Sequence, residues 1–191
     1  MPAHDRLLLL LAERSARRGH FTLASGRQST LYIDARLTTM SPDGLALIGP
    51  LALDLLGQTS WNVSAIGGLT LGADPVSYAI AYASACTDHP LRAFTIRKEV
   101  KVHGTGKLIE GPFREGDRVA VIEDVITTGG SALRAVEAIR AAGGLVAGVL
   151  ALVDREEGGR EAILAAGLPV VTLVQARDIV AHLPGAGDDV R

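Results

Sequence analysis

Residues 119–131 read Val-Ala-Val-Ile-Glu-Asp-Val-Ile-Thr-Thr-Gly-Gly-Ser, and this stretch limits the fold of the chain more sharply than any other. Four apolar residues, 119–122, run into the adjacent carboxylates Glu123 and Asp124. A hydroxyl- and glycine-rich turn follows, and a helical pattern opens at Ala132. An uninterrupted apolar strand belongs in a sheet covered on both faces, which means parallel strands joined by helices. In such sheets ligands bind beyond the carboxyl ends of the strands. A Gly/Ser/Thr turn leading into a helix offers free N–H groups and a positive dipole end to a phosphate. Carboxylates beside that cradle would repel the phosphate, so they suit another part of the same ligand, such as ribose hydroxyls. The segment thus points to a sugar phosphate.

The rest of the chain repeats the strand–helix alternation. Short apolar runs lie at 65–66, 91–96, 145–153 and 170–174, with helical patterns at 74–85, 131–142 and 159–166 between several of them. Near the N-terminus, residues 5–18 carry leucines at helical spacing with Arg14, Arg17 and Arg18 late, which predicts a helix ending near Arg18. Ser41-Pro42 reads as a helix cap followed by proline at the first helical position, with the helix stopping at Gly57. Gly143-Gly144 closes the helix after the opening motif. There is no internal repeat. The expectation is one domain of 191 residues, with a tail frayed after Leu183, over residues 184–191.

Composition excludes several classes. A net charge of −2 argues against a general nucleic-acid binder. A single cysteine, Cys86, rules out an internal disulfide framework and a multi-cysteine metal site, and is expected to be buried. The apolar run at 7–11 is too short for a membrane span, and the uncharged stretch 55–73 is broken by glycines. A cytoplasmic location is expected.

A second segment concerns charge. All three lysines, Lys98, Lys101 and Lys107, fall in residues 97–107, alongside Arg97 and His103, although the chain otherwise uses arginine, 16 times. Compact ammonium groups on a loop containing Gly104 and Gly106 suit a mobile lid over a highly anionic group. His4, His20, His89 and His182 have no such company. A turn and strand over 21–36, containing Arg27 and Tyr32, and Asp154-Arg155 beyond an apolar strand complete the candidates. Arginine suits a planar carboxylate because it binds with two parallel hydrogen bonds.

In this order, the segments resemble the type I phosphoribosyltransferases, and among them the orotate phosphoribosyltransferase family. Residues 119–131 look like the phosphoribosyl-pyrophosphate (PRPP) motif. Arg97-Lys98-x-x-Lys101-x-His103-Gly104 is similar to the catalytic loop, 21–36 to the N-terminal segment, Asp154-Arg155 to the orotate-contacting strand end, and 67–75 to the pyrophosphate-side loop. The resemblance implies a central, mostly parallel sheet flanked by helices, with a small hood formed by roughly residues 1–40. It implies that Thr127, Thr128, Gly129, Gly130 and Ser131 form the 5-phosphate cradle, that Val125 and Ile126 also belong to the PRPP site, and that Glu123 and Asp124 hold the ribose hydroxyls. Arg97, Lys98, Lys101 and His103 would hold pyrophosphate, with Arg97, Lys101 and His103 catalytic. Thr127, Arg155, Tyr32 and Arg27 would bind orotate. It further implies Mg²⁺ held mainly by PRPP rather than by protein ligands, and a homodimer whose loops serve each other's sites while Lys98 serves its own. Two positions depart from the pattern: Ala24 and Leu71 stand where some members carry lysine. A phosphoribosyltransferase for another base, or an RNA-binding regulator on the same fold, are the alternatives. The acidic balance and the cationic loop speak against the regulator.

Overall fold

Apolar strands alternating with one-sided helices require a sheet covered on both faces, and the chain builds that arrangement. The structure, a computed structural model, describes residues 1–22, 28–99 and 107–183. A six-stranded sheet has the order β5-β4-β3-β6-β7-β8, from β3 (Ala65–Leu69), β4 (Arg92–Ile96), β5 (Ile109–Glu110), β6 (Arg118–Ile126), β7 (Leu145–Asp154) and β8 (Val170–Gln175). All its pairings are parallel except the short β4–β5 pair.

The helices are α1 (Ala3–Leu10), α2 (Arg36–Thr39), α3 (Pro42–Gly57), α4 (Ala73–Ser84), α5 (Gly130–Ala141), α6 (Gly159–Ala165) and α7 (Ala176–Ala181). Two apolar clusters divide the strand residues by parity. Ile66, Ala120, Ile122, Leu150 and Leu152 pack with Leu7, Leu11, Ile48, Val76, Ile80 and Ile179. Ala65, Val119, Val121, Val149 and Ala151 pack with Ala135, Val136, Ile139 and Ile163. Successive strand residues point to opposite faces. The runs are therefore apolar at every position because each face has its own cover of helices.

Local signals account for several boundaries. The Ser41 hydroxyl accepts from Gly44 N–H at the start of α3, with Pro42 in the first turn. After α5, Gly144 N–H donates to the Ile139 carbonyl at 2.9 Å and the chain turns into β7.

Three expectations are corrected. The N-terminal helix does not reach Arg18: α1 gives way to a π-helical turn, Leu11–Ser15, and β1 (Ala16–Thr22) begins. Arg17 and Arg18 thus lie on a strand, because β1 gains a partner in β2 (Gln28–Ile33), antiparallel, which a helical continuation would forfeit. In the 21–36 segment, residues 21–22 end β1 and β2 supplies the expected strand, while 23–27 lie outside the described residues. β6 does not stop before the acid pair but continues through Glu123 and Asp124 to Ile126, paired with β7 up to Asp154. Cys86 is exposed, just past the end of α4. Among the described residues, no helix is long and apolar enough to cross a membrane.

Candidate active site

The order of the sheet decides where a ligand can bind. From β3 the chain adds β4 on one side and then β6, β7 and β8 on the other, so the direction of winding reverses between β3 and β6. Connections leaving those two strands diverge and open a crevice at their carboxyl ends. A cleft of about 360 Å³ lies there, lined from β3 and its loop by Leu69, Thr70, Leu71 and Gly72, and from β6 by Glu123, Asp124 and Val125. Thr127, Ser131 and Arg134 line it beyond β6, Arg155 beyond β7, Tyr32 to Arg36 from the ribbon side, and Lys98 beyond β4.

Beside it, Glu123 and residues 125–132 enclose a recess of about 60 Å³ at the start of α5. Among the described residues no side chain caps α5. Its N-cap, Gly129, has φ +80°, and a β-carbon there would meet the Gly159 carbonyl oxygen at 2.8 Å. Glycine is thus required twice at that position, for the left-handed turn and for the approach to α6. The result is a helix N-terminus with uncommitted N–H groups opening onto a small recess, which suits a phosphate.

Because β6 continues through the acid pair, its two carboxylates point to opposite faces of the strand. Glu123 is 7% exposed, and its Oε1 has no hydrogen-bond partner among the described residues. Burial pushes its pKa up to about 8, the nearby Asp124 adds to the rise, and Arg134 opposes it. Asp124 is raised too, first by burial, against a hydrogen bond of 2.9 Å from the Val125 N–H. On its other side stands Gly72, where a β-carbon would lie 2.5 Å from Asp124 Oδ1. A buried acceptor without a partner is costly, so the Glu123 oxygen is suited to a hydrogen-bond donor entering the cleft.

Arg155, buried at 9% exposure, ties the β1–β2 ribbon to the sheet. Its Nη2 donates to Ser29 Oγ (3.1 Å) and to the Leu31 carbonyl (2.9 Å), and lies 2.7 Å from Glu157 Oε1. Its Nε meets no acceptor among the described residues. Tyr32, 40% exposed on the same ribbon, packs against Phe21 with ring centroids 5.3 Å apart.

The structure brings together Tyr32, Lys98, Glu123, Asp124, Val125, Thr127, Ser131 and Arg155 around the cleft, and Ile126, Thr128, Gly129 and Gly130 around the recess. It does not bring Arg97 there: that side chain donates from Nε to Glu110 Oε1 at 3.0 Å, across the β4–β5 pair. Arg27, Lys101, His103 and Ala24 lie outside the described residues, as does the tail from 184. Leu71, 60% exposed, lines the cleft with an apolar side chain.

Sequence reasoning missed Arg134, and Asp34 and Arg36 as a pair. Arg134 stands three residues after Ser131 on α5, the spacing that puts two side chains on one helix face. The Arg36 guanidinium binds Asp34 through Nε (2.8 Å) and Nη2 (2.9 Å) and holds that carboxyl below its usual range. No local signal marks them, because they reach the cleft only through the ribbon.

No protein-family model matches the chain. It is similar to the orotate phosphoribosyltransferase of Sorangium cellulosum, 47% identical over 182 residues covering 94% of each chain. It is also similar to the orotate phosphoribosyltransferase of Aquifex aeolicus, 45% identical, covering 94% of this chain and 99% of the relative. The solved structure of the Mycobacterium tuberculosis H37Rv orotate phosphoribosyltransferase in complex with PRPP superposes with a TM-score of 0.79 at 42% identity, covering 94% of this chain and 99% of that one.

Proposed function

The chain belongs to the orotate phosphoribosyltransferase family, and from that membership and the geometry of its cleft we infer that it transfers ribose 5-phosphate from PRPP to N1 of orotate. The products are orotidine 5′-monophosphate and pyrophosphate, on the route to UMP. The observation that carries this reading is the convergence on one switch-point cleft of a helix N-terminus without a side-chain cap, two buried carboxyls of raised pKa and a buried arginine.

The 5-phosphate takes the recess of residues 125–131, held by the N–H groups that open α5. Glu123 and Asp124 hydrogen-bond the ribose hydroxyls from opposite faces of β6, which positions the anomeric carbon. The Thr70–Gly72 loop and Lys98 flank the pyrophosphate. Arg155 receives the orotate carboxylate alongside Thr127, with Tyr32 against the ring, and Arg27, outside the described residues, is assigned to orotate by the family resemblance alone. In the reaction the bond from C1 to pyrophosphate oxygen breaks as the bond to orotate N1 forms, through an oxocarbenium-like state, and the proton on orotate N1 is released to the departing pyrophosphate. No nucleophilic side chain is needed. The protein aligns the reactants, excludes water and stabilises the departing charge.

Arg97, Lys101 and His103 supply that stabilisation from a neighbouring subunit in a cytoplasmic homodimer. Two placements support the arrangement: Lys98 lines its own chain's cleft, while Arg97 turns away to Glu110. The β1–β2 ribbon, latched by Arg155, acts as the hood.

Mg²⁺ fits these residues as a partner of the substrate. Among the described residues no three His, Cys, Asp or Glu side chains gather to hold an ion, and Asp34, Glu123 and Asp124 line the cleft. Mg²⁺ keeps several waters and takes one or two carboxylates together with substrate phosphates. Bound with PRPP, it would share the charge of the leaving pyrophosphate.

The test is the fall in orotate's ultraviolet absorbance on adding PRPP and Mg²⁺ to the purified chain. Consumption of PRPP with uracil or hypoxanthine but not orotate would refute the choice of base.

A further inference from the structure

We propose that Asp74 is a positioning residue for the pyrophosphate side of the cleft, holding the Thr70–Gly72 loop between β4 and β6. The proposal rests on the reading of this cleft as a PRPP site and names a residue that acts on it without touching substrate.

The loop leaves β3 in the middle of the sheet and lines the cleft with Thr70, Leu71 and Gly72 before α4 begins. Two constraints fix it from opposite sides. On the β6 side, Gly72 lies so close to Asp124 that a β-carbon would fall 2.5–2.7 Å from all three atoms of the carboxyl group. On the β4 side, Asp74 accepts from the Thr70 hydroxyl through Oδ2 (2.7 Å) and from the Thr95 hydroxyl through Oδ1 (2.8 Å). The Thr70 N–H also donates to the Ile96 carbonyl at 2.9 Å.

The proton directions follow from the chemistry. A carboxylate only accepts, so both threonines donate to Asp74. The single Thr95 proton is then committed, and Tyr78 must donate its own proton to Thr95 Oγ1, at 2.8 Å. The relay therefore runs Tyr78 to Thr95 to Asp74, with Thr70 entering from the loop. It joins a cleft-lining loop to β4, whose next residues are Arg97 and Lys98.

An acidic residue in the first turn of α4 also stabilises that helix through its dipole. That role alone would lower thermal stability and leave the substrates' relative KM values untouched. A positioning role moves one of them. For Asp74→Ala, which removes both charge-assisted bonds, we expect KM for PRPP to rise about tenfold while KM for orotate stays within about twofold. Asp74→Asn keeps the shape and one carbonyl acceptor, and its amide can donate to the other threonine once that hydroxyl turns. It should restore KM for PRPP to within about threefold of wild type. Thr95→Val removes one arm and should raise KM for PRPP roughly threefold, which keeps the test open if Asp74→Ala does not fold.

Calorimetric titration of PRPP into each protein gives a readout independent of turnover, with affinity expected to fall in step with KM. Unchanged PRPP affinity in a folded Asp74→Ala or Thr95→Val protein overturns the proposal. So does an equal rise in both KM values. If wild type neither binds PRPP nor consumes orotate, the functional reading fails and takes the proposal with it. If wild type does both and the variants match it, only the role of Asp74 fails.

Discussion

Glu123→Gln separates what the buried carboxyl costs the ligand-free protein from what it contributes to binding. The folded pKa of Glu123, about 8, lies above its ordinary value of 4.5, mainly through burial. Between those two values the unfolded chain releases a proton that the folded protein keeps. Stability therefore falls as pH rises through this window and levels off above it. At about 1.4 kcal/mol per pH unit, a move from 4.5 to about 8 sets a ceiling near 5 kcal/mol. Glutamine has no proton to lose, so the variant lacks this component. Urea unfolding of both ligand-free proteins across about pH 5 to 9 should show the variant gaining at least about 2 kcal/mol relative to wild type as pH rises. Assayed above about pH 8, where the carboxyl is ionised, the variant should also bind PRPP about tenfold more weakly, since one amide acceptor in place of two carboxylate oxygens weakens the hold on ribose. A stability difference that stays flat with pH, within about 0.5 kcal/mol, would refute the buried, partnerless description of Glu123.

Further outcomes follow from the same cleft. Gly72 already has helical backbone angles, φ −62° and ψ −47°, so Gly72→Ala adds no backbone strain but drives a methyl into the Asp124 carboxyl. Thermal unfolding should shift by only a few degrees while KM for PRPP rises about tenfold, and an unchanged KM would contradict the close approach. Arg155→Lys replaces a fork with a point charge that cannot reach Ser29, Leu31 and Glu157 together. KM for orotate should rise about tenfold and melting temperature should fall, both read against wild type. Lys101→Ala should cost roughly 3 kcal/mol of transition-state stabilisation, about a hundredfold in turnover, and a loss below about threefold would exclude it from the chemistry.

Much of this was legible one segment at a time. The Ser41-Pro42 start of α3 and the Gly143-Gly144 stop of α5 are local hydrogen-bonding and backbone effects, and local residues suffice to specify them. The recess at the start of α5 was legible for the same reason, since turn, helix start and strand end are contiguous in residues 125–132. The N-terminal helix was overextended because its periodicity continues into residues that pair better with β2. The end of β6 was misplaced because charged residues look like a strand's end unless a neighbour, here β7, continues the ladder.

By itself, then, the sequence determined the strand–helix alternation, the covered sheet and the glycine turn that opens α5, all set by interactions within a few residues. Only the tertiary structure decided that winding reverses between β3 and β6, which brings the loop of Thr70 and Gly72 against Asp124. It also decided that adjacent carboxyls face apart, that Arg155 latches the ribbon through Ser29 and Leu31, and that Arg97 turns to Glu110. The physical reason is range: these contacts depend on which strands lie side by side, and that is settled only when the whole sheet has found its covers.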